Sequence, residues 1–150
     1  MIQRIQSVYL LVVTILLIVC MCTPVGAYIA EDYTVSKFTN LCIVSADGVK
    51  DYAPWAMFVI LVVAALLSFT TIFMFKKRML QIRMSIFNSL LLVGYYIAFF
   101  AFYFALKNDE NLFRIGWALC LPLVSIILNI LAIRSIGRDE VMVKAADRLR

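Results

Sequence analysis

The chain has 150 residues, of which 65% are apolar, and a formal net charge of +5. Soluble domains are usually about 45–50% apolar, so this composition indicates a membrane protein. The sequence has no histidine and no CxxC pair, which argues against most zinc, haem and thioredoxin-like chemistry, and its basic residues form no aromatic-interleaved face of the kind that binds nucleic acid.

Four windows of the sequence are long and apolar enough to cross a bilayer. A helix spans the hydrocarbon core with about 20 residues, at about 1.5 Å per residue. The windows are residues 5–23, 54–75, 84–106 and 113–136. Their only charges are Arg114 and Arg134, which lie at the rims. We therefore predict one all-α membrane domain, a bundle of four antiparallel transmembrane helices.

The first window also has features of a cleavable secretory signal. Arg4 precedes the apolar run, and the small residues Gly26 and Ala27 follow it. The apolar run from Ile5 is nearly as long as a full span, however, which favours a retained helix. We expect this segment to remain as the first transmembrane helix.

The outer loop, residues 24–53, is the only sizeable polar segment and has a strand-like pattern. Tyr33 and Val35 alternate with polar neighbours, and Asp47-Gly48 is typical of a tight turn before Val49. We predict a small element of two or three β-strands that caps the outer end of the bundle. This cap would be either a simple connector or a docking surface or lid.

Three cysteines fall near the outer boundary, where an oxidising compartment would permit a disulfide. Cys20 and Cys22 point to nearly opposite faces of a helix, so at most one of them can meet Cys42. Cys22 lies closer to the loop than Cys20 does, so the candidate disulfide joins Cys22 to Cys42. The alternative is that these cysteines are small buried apolar side chains.

A few polar side chains lie inside the predicted spans, where an amide without a partner is costly. Asn88 is in span three, while Ser125 and Asn129 share one face of span four. Because spans three and four are antiparallel neighbours, we predict that Asn88 and Asn129 meet as an interhelical polar contact. A substrate site is the alternative interpretation.

Span three ends in an aromatic segment, GYYIAFFAFYFAL, with seven aromatic residues between Tyr95 and Phe104. Tyrosines gather at the membrane interface, and phenylalanines fill contacts between helices, so packing explains the segment. A ring-lined slot for a quinone or a lipid tail is the alternative.

The charges divide by side. One side carries ten of the 14 basic residues and three of the nine acids; it comprises the N-terminus, the connection between spans two and three, and the tail. The other side carries Lys37, Lys50, Lys107, Arg114, Glu31, Asp32, Asp47, Asp51, Asp109 and Glu110. Because basic residues in short loops stay in the cytoplasm, we predict that both termini are cytoplasmic.

The tail, residues 137–150, has the spacing of a short amphipathic helix. We expect Gly137 to end span four, after which Val141, Ala145 and Leu149 fall on one helical face. Glu140 and Lys144 form a favourable i,i+4 pair. The candidate cytoplasmic partner surface is Arg4, Asp139, Glu140, Lys144, Asp147 and Arg148. A solvated tail that only fixes orientation is the alternative.

The two ends of the chain, MIQRIQSVYLL and RDEVMVKAADRLR, resemble those of an uncharacterised bacterial family of small four-span inner-membrane proteins, a domain of unknown function. The resemblance covers the whole length. It implies a multi-pass protein of the bacterial inner (plasma) membrane with four helices and a first outer loop, and it supplies no catalytic residues.

The sequence favours a non-enzymatic accessory or scaffold subunit of a membrane assembly. Its partners would be the lipid bilayer and either another membrane protein or a second copy of the chain. A small transporter, a channel or a lipid- or quinone-binding protein is the alternative, although ion pathways usually carry ionisable residues within the spans. An enzyme would need an activated nucleophile or a metal set, and the sequence shows no catalytic residues, metal ligands or cofactor-binding motif.

Overall fold

The computed structural model describes residues 2–106 and 112–149, with side chains for 5–105 and 112–149. Four long helices form its body: α1 (Ile2–Cys22), α2 (Trp55–Phe73), α3 (Arg78–Leu106) and α4 (Cys120–Arg148). Each of these helices is long and apolar enough to cross a membrane, as the sequence predicts. Lys107, Asp109 and Glu110 lie outside the described residues, as does the side chain of Arg4.

The helices form an antiparallel bundle in which each one packs on two neighbours. The helix α1 contacts α2 and α4, and α3 contacts the same two helices from the other side. The connection between α2 and α3 is short, at residues 74–77, which is typical of antiparallel helix pairs. One end of the bundle carries all of the strands that the structure describes and is called the sheet end. The opposite end, with residues 74–83 and 134–149, is called the charged end.

A five-stranded antiparallel sheet covers the sheet end. Its strands are β1 (Gly26–Ile29), β2 (Val35–Phe38), β3 (Ile43–Val44), β4 (Lys50–Asp51) and β5 (Leu112–Ile115), in the order β4-β3-β2-β1-β5. The predicted tight turn is confirmed: Ser45 and Val49 close it with a 3.0 Å backbone hydrogen bond, and Gly48 has a φ of 81°.

The prediction of two or three strands in the outer loop was too low. Residues 24–53 form four strands, and the fifth comes from the connection before α4, where span four was predicted to begin at Phe113. Residues 112–115 pair with β1, from Ile29 opposite Leu112 to Gly26 opposite Ile115. The pairing satisfies backbone groups on the edge of β1 that an early start of α4 would leave exposed.

The predicted break at Gly137 was also wrong, because α4 runs without interruption to Arg148. A Cβ at position 137 would meet no atom within 4 Å outside its own stretch of helix, so no close contact requires a glycine there. A single glycine inside a helix costs only about 1 kcal/mol relative to alanine, which the continuous hydrogen-bonded helix tolerates. The tail is therefore an extension of α4 and not a separate helix.

Candidate functional site

Asn40 ties the sheet to two helices at the sheet end. The side chain is fully buried in the connection between β2 and β3. Its Nδ2 donates to the carbonyl oxygen of Cys20 at 2.7 Å, and its Oδ1 accepts from the hydroxyl of Tyr95 at 2.6 Å. The Cys20 thiol in turn donates to the carbonyl oxygen of Ala118 at 3.6 Å. These contacts join α1, α3 and the short turn before α4 to one buried amide, which the sequence interpretation missed.

An aromatic cluster fills the space beneath the sheet. Phe99 of α3 contacts Phe38 and Phe113, with ring centroids 6.2 Å and 6.0 Å apart, and Tyr28 contacts Phe113 at 4.7 Å. Burial, followed by the nearby Tyr103, raises the pKa of Tyr28. The structure thus packs the inward aromatic residues of span three against the rings of the sheet.

All four cysteines lie among the described residues, and each is a free thiol. Cys22 is exposed, while Cys42 is buried and its carbonyl oxygen accepts from the Thr39 hydroxyl at 2.5 Å. The structure therefore does not contain the candidate Cys22–Cys42 bridge. The described residues also hold no group of three or more His, Cys, Asp or Glu side chains able to hold a metal ion.

Asn88 and Asn129 lie at similar depths on two packed helices. The Tyr96 hydroxyl donates to the carbonyl oxygen of Leu119 at 2.7 Å, which aligns α3 with α4 at that level. From there Asn88 is eight residues along α3 and Asn129 ten residues along α4, which are distances of about 12 Å and about 15 Å. Both side chains are buried, as are their helical neighbours Ser85 and Ser125.

These buried amides nevertheless lack hydrogen-bond partners. Among the described residues, neither polar atom of Asn88 or of Asn129 makes a hydrogen bond, and the Ser85 hydroxyl makes none. Ser125 donates to the carbonyl oxygen of Leu121 at 3.0 Å, within its own helix. The predicted Asn88–Asn129 hydrogen bond is therefore absent, and five unpaired polar atoms lie on the inner faces of α3 and α4.

Two buried hydroxyls on α1 and α2 are satisfied by a backbone carbonyl, whereas the Tyr28 hydroxyl under the sheet has no partner among the described residues. Ser68 of α2 donates to the carbonyl oxygen of Leu10 in α1 at 3.2 Å and so links two helices. Thr14 donates to the same carbonyl at 2.9 Å, within α1. The unpaired groups are thus concentrated on α3 and α4 rather than spread through the bundle.

At the charged end, the proposed partner surface divides into buried and exposed parts. Asp139 is buried and accepts a hydrogen bond from the Gln6 amide of α1, so it is not available to a partner. Glu140 and Lys144 form the predicted i,i+4 pair, with Nζ and Oε1 3.3 Å apart. Asp147 and Arg148 lie in the exposed last turns of α4.

Two clefts open at the charged end. The larger, of about 850 Å³, is lined by Lys76, Lys77, Arg78, Arg83, Glu140 and Lys144, with apolar residues completing the walls. It is called the basic cleft. The smaller, of about 380 Å³, lies beside Arg134, Arg138 and Asp139. The sequence analysis used these basic residues only to predict which side of the membrane they lie on. The fold shows in addition that residues from the α2–α3 connection, α3 and α4 line one cleft.

The chain belongs to the family described as Domain of unknown function (DUF4293), whose profile matches residues 2–149. A comparison with curated proteins finds no match. The family description adds no activity, substrate or partner.

Proposed function

We propose that the protein is a multi-pass integral protein of the bacterial inner membrane. The distribution of polar groups across the bundle carries this proposal. Every exposed residue on α1 between positions 5 and 19, and on α3 between positions 86 and 104, is apolar. The buried faces instead carry Gln6, Thr14, Ser85, Asn88, Ser125 and Asn129. This pattern is the reverse of that in a water-soluble bundle and suits helices that face lipid.

The charge distribution supports cytoplasmic termini. The charged end carries Lys76, Lys77, Arg78, Arg83, Arg134, Arg138, Lys144 and Arg148. The sheet end carries Glu31, Asp32, Asp47 and Asp51 against Lys37, Lys50 and Arg114. An excess of basic residues favours retention in the cytoplasm, so the sheet would face outward.

A cysteine-labelling experiment tests this topology. In a chain whose native cysteines are replaced by serine, either Ser45→Cys in the turn between β3 and β4 or Asp147→Cys on α4 supplies one thiol. We expect a membrane-impermeant maleimide to label position 45 in intact spheroplasts and position 147 only after permeabilisation. Labelling in the opposite pattern, or recovery of the protein in the soluble fraction, would contradict the proposal.

Within the membrane, we propose a non-enzymatic accessory or scaffold role. Between the sheet and the charged end, the described interior presents no carboxylate, lysine, arginine or histidine for proton or group transfer. Beyond the bundle, residues 141–148 of α4 are all exposed, a helical length of about 12 Å, and so is Leu149, which follows the helix. Val141, Met142 and Leu149 expose apolar side chains there, beside charged ones, which suits docking to another protein at the membrane surface.

Purification in a mild detergent tests the scaffold role. We expect the full chain to retain a companion membrane protein at a constant ratio, and a chain truncated after Glu140 to lose it. Val49→Ala, which shortens an exposed apolar side chain in the turn between β3 and β4, is the control and should retain the companion. Recovery of the intact chain alone, or with only a bound lipid or quinone, would overturn the scaffold role.

The unpaired groups on α3 and α4 favour one alternative, a transporter or channel that passes a polar solute. Asn88 and Asn129 are buried and lack partners among the described residues, so a polar solute could satisfy them. The test is reaction of Asn129→Cys, in a chain without other cysteines, with a small water-soluble thiol reagent. Rapid reaction in the assembled protein supports an aqueous pathway, whereas protection supports a closed interior.

A further inference from the structure

We propose that the basic cleft binds the phosphate of an anionic phospholipid headgroup in the adjoining leaflet. This inference rests on the proposed membrane insertion and adds a specific ligand class to it. Five basic side chains converge on the cleft, from the connection between α2 and α3 (Lys76, Lys77), from α3 (Arg78, Arg83) and from α4 (Lys144). Among the described residues that line the cleft, Glu140 is the one acid, and it is paired with Lys144 at 3.3 Å.

The start of α3 adds backbone donors to these charges. The first hydrogen bond at this end of the helix is donated by the Gln81 N–H to the carbonyl oxygen of Lys77, at 3.0 Å. The N–H groups of the three preceding residues, Arg78 to Leu80, therefore come before the first hydrogen bond of the helix. All three residues line the cleft. Free N–H groups and the positive end of a long helix both favour a bound anion. Arginine beside them can hold phosphate oxygens in a bidentate manner.

The apolar rim of the cleft distinguishes a lipid from a soluble phosphate. Phe75, Met79 and Val143 line the same cleft and are exposed. A soluble anion would not bury these apolar side chains, whereas the glycerol and upper acyl chains of a phospholipid would cover them. The volume of about 850 Å³ also exceeds what a phosphate alone requires and falls within the range of ligand pockets.

Lipid titration of the full-length protein in detergent, followed by native mass spectrometry, tests the site. Phosphatidylglycerol is the anionic probe, and phosphatidylcholine, which has a phosphate but no net charge, is its comparison. We expect Lys76→Gln, Lys77→Gln and Arg83→Gln together to weaken retention of phosphatidylglycerol by about fivefold for each charge removed. Glu140→Gln frees Lys144 and should strengthen retention, a direction that misfolding cannot produce.

The matched control removes the same number of charges outside the cleft, by Lys37→Gln, Lys50→Gln and Arg148→Gln. Retention of phosphatidylglycerol should then stay close to that of the unmodified chain. Equal retention of the two lipids by the unmodified chain, equal loss in both triple variants, or no loss in either overturns the site. Displacement of phosphatidylglycerol by inorganic phosphate at matched concentration would reassign the cleft to a soluble phosphate and also overturn the proposal.

Alkaline carbonate extraction of membranes separates failure of this site from failure of membrane insertion. If the unmodified chain stays in the membrane pellet but shows none of the expected lipid selectivity, only the lipid site is wrong. If the chain is released into the supernatant, the proposed membrane function itself fails.

Discussion

The hydroxyl of Tyr95 donates to Oδ1 of Asn40 across 2.6 Å, and this contact joins the middle of α3 to the connection between β2 and β3. The same amide donates to the carbonyl oxygen of Cys20 at 2.7 Å, so both faces of the Asn40 side chain are used. Fully satisfied buried amides restrict a fold to one arrangement. The two hydrogen bonds of Asn40 therefore fix the sheet to the bundle.

We expect Tyr95→Phe to lower the free energy of unfolding by about 1–3 kcal/mol, because it leaves a buried carbonyl oxygen without its donor. Unfolding in detergent micelles, followed by tryptophan fluorescence, measures the change. Tyr33→Phe is the control, since Tyr33 lies exposed on the hairpin between β1 and β2. Equal effects of the two substitutions would show that the Tyr95 hydroxyl does not stabilise the sheet on the bundle.

Two glycines should respond to alanine in opposite ways. A Cβ on Gly116 would lie 2.6 Å from the carbonyl oxygen of Val25, the same atom that accepts the Gly116 N–H at 2.7 Å. Moving the backbone to relieve the clash would break that bond, so we expect Gly116→Ala to destabilise the protein by about 1–3 kcal/mol.

Gly137→Ala should stabilise the protein by about 0.5–1 kcal/mol, because the position is helical and open. The two variants are compared by thermal unfolding under the same detergent conditions. Destabilisation by Gly137→Ala would mean that the chain needs glycine at this position, as it would if α4 ended there.

The number and order of the long helices follow from the sequence because the exposed and the buried positions of each helix are both mostly apolar. Each helix is therefore a continuous apolar run in the sequence. The strand β5 could not be found in the same way. Leu112, Phe113 and Ile115 are apolar and directly precede span four, so composition merges them with the helix. Only the pairing with β1, which is distant in sequence, identifies them as a strand.

The polar groups show a similar limit. The sequence predicts that Asn88 and Asn129 meet inside the bundle, and in the structure both side chains are buried. The two side chains make no hydrogen bond to each other. Whether they can do so depends on the rotation of each helix about its axis, and hydropathy does not specify that rotation. The sequence predicts an exposed tail that includes Asp139, because a glycine at position 137 favours a helix end. Continuation of α4 instead turns Asp139 inward to the Gln6 amide.

The free cysteines should differ in reactivity. We expect a maleimide to label Cys22 in the folded protein, and Cys20 and Cys42 only after denaturation, because the last two are buried. Mass spectrometry of the protein purified from an oxidising compartment, with and without a reductant, measures pairing directly. A mass change on reduction, together with loss of Cys22 labelling, would show that the Cys22–Cys42 bridge does form.

Substitution of the unpaired amides tests whether they contribute to stability. Asn88→Leu and Asn129→Leu each remove two buried polar atoms that lack partners among the described residues, at nearly constant volume. We expect each variant to be as stable as the unmodified chain or more stable, by up to about 2 kcal/mol, because replacing an unsatisfied group by an apolar one removes its desolvation penalty. Unfolding in detergent micelles provides the measurement.

The double variant then distinguishes two independent amides from a bonded pair. Since Asn88 and Asn129 do not contact each other through hydrogen bonds, their effects should add within about 0.5 kcal/mol. Ser68→Ala is the comparison, because Ser68 does make an interhelical bond to Leu10 and its loss should destabilise the bundle. A coupling above about 1 kcal/mol, with each single leucine variant destabilised, would establish that the two amides bond to each other after all.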